Sequence, residues 1–79
     1  MDEYNELIIV DKIHEFMKSN KAIDKDNTFS KYHVTSSICR GFKEFKVSQN
    51  QVEMVFDRMV KADMIKEVGK HSYYLVIDE

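Results

Sequence analysis

Apolar residues recur at steps of three and four positions along residues 47–61, and after Asp63 the spacing becomes that of a strand. The first pattern is typical of an amphipathic helix with one face on a core. Its apolar positions are Val52, Val55, Phe56, Met59 and Val60. We predict strands over residues 64–68 and 71–77, joined by a two-residue type II′ turn at Gly69 and Lys70, because glycine suits the first position of that turn. The C-terminal half of the chain is therefore predicted to be a helix that leads into a β-hairpin.

Ser48 specifies the start of this helix. Gln51 lies three residues further on, where its side chain can accept a hydrogen bond from the Ser48 N–H while the Ser48 hydroxyl accepts one from the Gln51 N–H. Val47 and Val52 are placed to pack together as a hydrophobic staple. The pattern predicts a helix with a well-defined N-terminus.

A second amphipathic pattern predicts an N-terminal helix from near Asp2 or Asn5 to about Ser19. Its apolar face consists of Ile9, Val10, Ile13, Phe16 and Met17. Leu7 and Ile8 widen this face beyond what one small core needs. Two interpretations stay open for them: they are additional core or ordinary surface residues, or they contact a second copy of the chain or another partner.

The middle of the chain begins with a polar stretch, residues 21–27, which predicts a loop. The next segment fits either a brief strand or the start of a helix, capped by Ser30 or by Thr35. The apolar residues that fit either form are Phe29, Tyr32 and Val34. A helix over residues 35–43 follows from the spacing of Ile38, Phe42 and Phe45. The turn at residues 45–47 is short, so this helix and the one from Ser48 are expected to cross as a helix-turn-helix.

Composition narrows the class of protein. The 79 residues are 43% hydrophobic and 33% charged, which indicates one globular domain over residues 1–79 and no membrane span. A single cysteine, Cys39, and the lack of an export signal indicate a reducing cytoplasm. The net charge is −2, but residues 16–49 carry seven bases and three acids, and such a locally basic segment can hold phosphates.

No residue pattern indicates catalysis. The three histidines and Cys39 lack the short spacing of metal ligands, and no glycine-rich phosphate loop occurs. A chain this short is also small for a pocket that encloses a substrate. We therefore expect a protein that is not an enzyme and that uses no metal and no cofactor.

From about residue 34 to residue 77 the chain resembles the winged helix-turn-helix superfamily of small regulators, which includes phage, virus and plasmid proteins. The most specific likeness lies in VSQNQV (residues 47–52) at the start of the last helix and RMVKADMI (residues 58–65) at its exit. The family usually carries glycine where Asp63 stands, and aspartate tolerates the left-handed conformation better than most residues. The resemblance implies an α+β winged helix, in which a three-helix helix-turn-helix core precedes a C-terminal β-hairpin wing. It also implies a DNA-binding transcriptional regulator. If such a regulator forms a homodimer, the widened apolar face at Leu7 and Ile8 is the candidate contact.

In such a protein the helix from Ser48 would lie in the major groove, and the hairpin at Gly69 and Lys70 would touch the DNA backbone or the minor groove. Side-chain amides suit base edges because they both donate and accept hydrogen bonds. The candidate base contacts are Gln49, Asn50, Glu53 and Met54. The candidate phosphate contacts are Lys31, Arg40, Lys43, Lys46, Ser48, Arg58 and Lys70. Glu53 and Asp57 lie one turn apart on the exposed face and oppose duplex binding, because carboxylates repel phosphates.

Two other functions stay open. The same fold can serve as an interaction module that binds a host or replication protein, with the acidic helix face against a basic partner. A single-stranded DNA-binding accessory protein would instead use Tyr32, Tyr73 or Tyr74 as stacking platforms. Tyrosines in such positions are more often core or strand residues.

Overall fold

The computed structural model describes residues 3–41 and 47–77, which form three helices followed by an antiparallel hairpin. The elements are α1 (Glu3–Ser19), α2 (Lys31–Gly41), α3 (Gln49–Lys61), β1 (Ile65–Val68) and β2 (Ser72–Leu75). The predicted α+β class and the predicted order of elements are confirmed.

The C-terminus of α1 is closed by a left-handed residue. Lys21 has φ 60°, and the Ala22 N–H donates to the Met17 carbonyl oxygen at 2.9 Å while the Lys21 N–H donates to the Lys18 carbonyl oxygen at 3.1 Å. These two bonds form a Schellman motif, which satisfies carbonyls that the end of a helix leaves without partners. Ala22 is thereby turned back into the core, where it is fully buried.

The start of α2 differs from the prediction of a helix over residues 35–43. Ser30 is the cap, since its hydroxyl accepts from the His33 N–H at 3.1 Å and its carbonyl accepts from the Val34 N–H at 3.2 Å. Thr35 lies inside the helix, where its hydroxyl donates to the Lys31 carbonyl oxygen at 2.9 Å. The helix therefore begins one turn earlier than predicted, because the first of the two possible caps is the one used.

The exit of α3 confirms the expectation for Asp63. This residue adopts φ 62°, and the Met64 N–H donates to the Met59 carbonyl oxygen at 2.9 Å. The Asp63 N–H donates to the Val60 carbonyl oxygen at 3.1 Å, which completes a second Schellman motif. The aspartate thus takes the left-handed position for which glycine is the usual residue.

The hairpin loop corrects the sequence prediction. Val68 is paired with Ser72, so three residues, Gly69, Lys70 and His71, connect the strands, and the predicted two-residue turn is wrong. Both Gly69 (φ 65°) and His71 (φ 64°) are left-handed. Both strands are also shorter than predicted. The first begins at Ile65 rather than at residue 64, and the second runs from Ser72 to Leu75 rather than from residue 71 to residue 77.

The hairpin is fixed to the helices through two distant segments. Phe29 and Tyr73 exchange a pair of backbone hydrogen bonds, at 2.9 and 2.8 Å, so that Phe29 extends the sheet beyond β2. The Leu75 N–H donates to the Ala22 carbonyl oxygen at 2.8 Å. Each helix and each strand contributes to one buried apolar cluster, which consists of Ile9, Ile13, Met17, Ala22, Val34, Ile38, Val52, Val55, Phe56, Met59, Ile65 and Leu75.

Candidate nucleic-acid interface

The first turn of α3 is held by the predicted capping box, which is confirmed. The Gln51 N–H donates to the Ser48 hydroxyl at 3.2 Å, and the Ser48 N–H donates to Gln51 Oε1 at 3.0 Å. Ser48 itself is extended, with φ −82° and ψ 155°. The side chain of Gln51 is therefore occupied by the cap, while the backbone N–H groups of this first turn give the helix end a partial positive charge.

Two of the four candidate base-reading residues are exposed on α3. The Asn50 side chain forms no hydrogen bond to any residue that the structure describes, so its amide is available to a partner. Met54 lies one turn further along and is 44% exposed. Together they place one polar and one apolar side chain on the solvent-facing surface of the helix.

The other two candidates lie closer to α2. Gln49 is half-buried, and its Nε2 donates to the Thr35 hydroxyl at 2.6 Å. Glu53 is also half-buried, and its negative charge is one of the causes that raise the pKa of Lys31 in α2. Sequence reasoning considered Thr35 only as a possible helix cap and missed its bond to Gln49, because no local pattern links two positions on different helices.

The carboxylate of Asp57 is paired with α2. Lys31 Nζ lies 2.9 Å from Asp57 Oδ1 and donates to Asp57 Oδ2 at 3.1 Å. This hydrogen bond raises the pKa of Lys31 above its ordinary value of 10.5, against an opposing effect of burial, and the nearby charges of Asp57 and Glu53 act in the same direction. The acidic pair that opposes phosphate binding is thus partly neutralised within the molecule.

A second ion pair lies on the other flank of α3, where Arg58 donates to Glu6 of α1. Lys31 and Arg58 were both predicted to contact phosphates, and both are held by carboxylates of the protein itself. A phosphate would have to compete with these carboxylates for either cation. The pairing of Glu6 with Arg58 was not predicted from the sequence, since it depends on how α1 crosses α3.

The remaining predicted phosphate contacts are spread over three places. Arg40, in the last turn of α2, and Lys70, in the hairpin loop, are exposed and form no ion pair within residues 3–41 and 47–77. Ser48 is used as the α3 cap, although its backbone stands at the exposed start of the helix. Lys43 and Lys46 lie outside the described residues.

The three tyrosines proposed as stacking platforms differ in exposure. Tyr73 packs edge-to-face on Phe56 with ring centroids 5.0 Å apart, and its hydroxyl donates to Glu67 Oε2 at 3.3 Å. Burial, with the nearby Glu67, raises the pKa of the Tyr73 phenol above its ordinary value of 10.0. Tyr74 is half-buried, whereas Tyr32, in the first turn of α2, is 73% exposed. Of the three, Tyr32 is the one with a ring available for stacking.

The two residues considered for a homodimer contact also differ in their exposure to solvent. Leu7 is 60% exposed, and Ile8 is half-buried against the core. Of these two residues, Leu7 is therefore the exposed one, while Ile8 contributes to the protein's own packing.

Comparisons of the chain with protein-family models, with curated proteins and with solved structures found no match in any of the three. Across residues 3–41 and 47–77, no helix is long and apolar enough to cross a lipid bilayer. The same residues hold no group of three or more His, Cys, Asp or Glu side chains arranged to bind a metal ion.

Proposed function

We propose that this chain is a winged-helix DNA-binding domain of a small transcriptional regulator, which places α3 in the major groove of duplex DNA. The hairpin loop at Lys70 then contacts the DNA backbone as the wing. The protein works in the cytoplasm, where it has access to DNA, and Leu7 provides the contact of a homodimer.

The observation that carries the proposal is the capped and exposed first turn of α3. Its two reciprocal bonds, at 3.2 and 3.0 Å, fix the direction of the helix before any partner binds. The Asn50 amide is exposed in that turn, and an asparagine amide can pair with the N6 and N7 atoms of adenine. A capped and exposed helix that follows another helix along the chain is the reading element of helix-turn-helix proteins.

The ion pairs of α3 remove part of the objection to DNA binding. Asp57 is held by Lys31, so that its negative charge is balanced beside the face that would meet phosphates. Arg40 and Lys70 have no such pairs among the described residues, so neither cation has to leave a carboxylate of the protein to bind a phosphate.

A binding selection from random duplex and single-stranded DNA pools tests the proposal directly. Wild-type protein should enrich a duplex sequence, and Asn50→Ala should lose preference at one base position, with a loss of about 1–3 kcal/mol of discrimination. Arg40→Ala should weaken binding to all sequences alike and reduce the slope of log K against log salt by about 0.9. Lys18→Ala, which removes an exposed lysine of α1 outside the candidate set, is the charge-matched control.

An interaction module is the second candidate, and the exposed apolar groups favour it. Tyr32 of α2 is 73% exposed and Met54 of α3 is 44% exposed, and exposed apolar groups of this kind can be covered by a protein partner. A nuclease-treated pull-down that retains one protein, together with a purified chain that causes no salt-dependent shift of duplex DNA, would favour this candidate. Enrichment of single-stranded sequences alone, with loss of binding in Tyr32→Ala, would instead indicate the accessory role.

A further inference from the structure

The bond between Gln49 and Thr35 joins the first residue of α3 to the interior of α2. Thr35 is fully buried, and its hydroxyl oxygen lies 2.6 Å from Gln49 Nε2 and 2.9 Å from the Lys31 carbonyl oxygen. A hydroxyl has one hydrogen to donate and two lone pairs that accept. Both contacts are satisfied only when the hydroxyl donates to the Lys31 carbonyl and accepts from Gln49.

This arrangement determines which way the Gln49 amide faces. If the amide were turned over, Oε1 would face the hydroxyl, which could donate to it only by giving up the bond to the Lys31 carbonyl. The nitrogen is therefore held inward. Oε1 and the second hydrogen of Nε2 form no bond with the described residues and are left for a partner.

We propose that Thr35 is a positioning residue that fixes the Gln49 amide as one acceptor beside one donor, and so makes Gln49 selective for adenine over guanine. This inference rests on the proposed function of α3. In the major groove adenine presents a donor at N6 and an acceptor at N7, which match Oε1 and the free N–H, whereas guanine presents acceptors at both O6 and N7. A fixed amide would direct Oε1 at guanine O6, and it also loses less conformational freedom on binding than a mobile one.

The test compares variants in the same duplex selection. Gln49→Ala first identifies the base position that Gln49 reads, as the position whose preference disappears. At that position wild type should prefer adenine over guanine by about tenfold. Thr35→Val, which keeps the shape of the side chain and removes the hydroxyl, should reduce this ratio about fivefold or more while the other positions keep their preferences. Thr35→Ser, which keeps the hydroxyl, should retain the ratio.

Ser36→Ala is the matched control for removing a hydroxyl from α2. The Ser36 hydroxyl donates to the His33 carbonyl oxygen at 3.3 Å and forms no hydrogen bond with the described residues of α3, so its loss should leave the adenine preference unchanged. Circular dichroism checks that each variant is folded. An unchanged ratio in folded Thr35→Val, or a wild-type preference for another base at the Gln49 position, overturns the inference and leaves the proposed function standing.

A measurement on the wild-type protein without DNA tests the bond separately. Gln51 is the internal reference, since its Oε1 accepts from the Ser48 N–H and its Nε2 has no partner among the described residues. Side-chain amide hydrogen exchange by NMR should be slower at Gln49 than at Gln51. Equal exchange overturns the inference even where Thr35→Val does not fold. If wild type selects no duplex sequence, the proposed function fails and the specificity of Gln49 fails with it, whereas slow exchange would still support the bond.

Discussion

Replacing Ser48 by alanine tests the structural basis of the candidate interface. The substitution removes the hydroxyl that accepts from the Gln51 N–H at 3.2 Å and leaves that N–H to solvent. The reciprocal bond from the Ser48 N–H to Gln51 Oε1 uses the backbone and can persist, but it loses the partner that kept Gln51 in place. Alanine at an N-cap costs about 1 kcal/mol, with a range of roughly 0.5–2 kcal/mol.

The change in melting temperature that this loss of free energy causes depends on the size of the protein. An unfolding entropy of about 2.1 cal/mol/K per residue gives roughly 0.17 kcal/mol/K for 79 residues. A loss of about 1 kcal/mol should therefore lower the Tm by about 6 °C. The free energy of unfolding from a urea titration should fall by the same amount without a change in m, because the surface exposed on unfolding stays the same.

Ser48→Asp is the matched control, measured by the same thermal melt and urea titration. Aspartate caps a helix as well as serine does, and its charge interacts favourably with the N-terminus of α3, so this variant should melt at or above the wild-type temperature. The same carboxylate should weaken binding to DNA, which separates helix stability from phosphate contact. A Tm of Ser48→Ala within about 1 °C of wild type, or an equal loss in Ser48→Asp, would refute the role of the cap.

Two further predictions concern stability. Lys31 and Tyr73 both have raised pKa values in the folded state, so both keep their protons to higher pH than the unfolded chain does. Their stabilising effect should be complete at neutral pH and decline above about pH 10. In urea titrations between about pH 8 and pH 11, the free energy of unfolding should therefore fall less steeply with pH in Tyr73→Phe than in wild type. At the left-handed Asp63, with φ 62°, Asp63→Gly should keep or raise the Tm, and Asp63→Val should cost about 1 kcal/mol or more. Equal melting temperatures for these two Asp63 variants would contradict the role of the backbone conformation.

Features whose physical cause lies within one turn of chain were predictable from the sequence. The capping box needs only Ser48 and Gln51 three residues apart, and the left-handed exit needs only a residue such as Asp63 that tolerates positive φ. By contrast, Ser30 and Thr35 were equally good caps for α2 by local criteria, so the sequence did not decide between them. The residue before Ser30 is tied into the sheet by the bridge between Phe29 and Tyr73, and this contact between distant parts of the chain has no local sequence signal.

The predicted length of the hairpin loop was wrong for a related reason. A left-handed Gly69 fits loops of two or three residues, so the local sequence does not choose between them. The observed register pairs Ile65 with Leu75, both buried. A two-residue loop would pair Ile65 with Tyr74, and such a one-residue slip carries side chains to the opposite face of the sheet. The core thus selects the register, and the register selects the loop.

The electrostatics of the candidate interface were the least predictable part. The sequence supplied a basic segment and two acids on α3, but the partner of each charge depends on the crossing of helices. Lys31 meets Asp57 across α2 and α3, and Arg58 meets Glu6 across α3 and α1. Neither pair has a spacing that a single helix would reveal.

The backbone bonds from the hairpin to Phe29 and Ala22 have a consequence for how the chain acquires its structure. Leu75 fills the core and its N–H donates to the Ala22 carbonyl oxygen, so the three helices cannot complete their packing until β2 has been synthesised. During translation the nascent helices must wait, with apolar side chains exposed, until β2 has left the ribosome. Closure of these long-range contacts is then expected to limit the folding rate, and a fragment cut before β2 should fail to fold cooperatively.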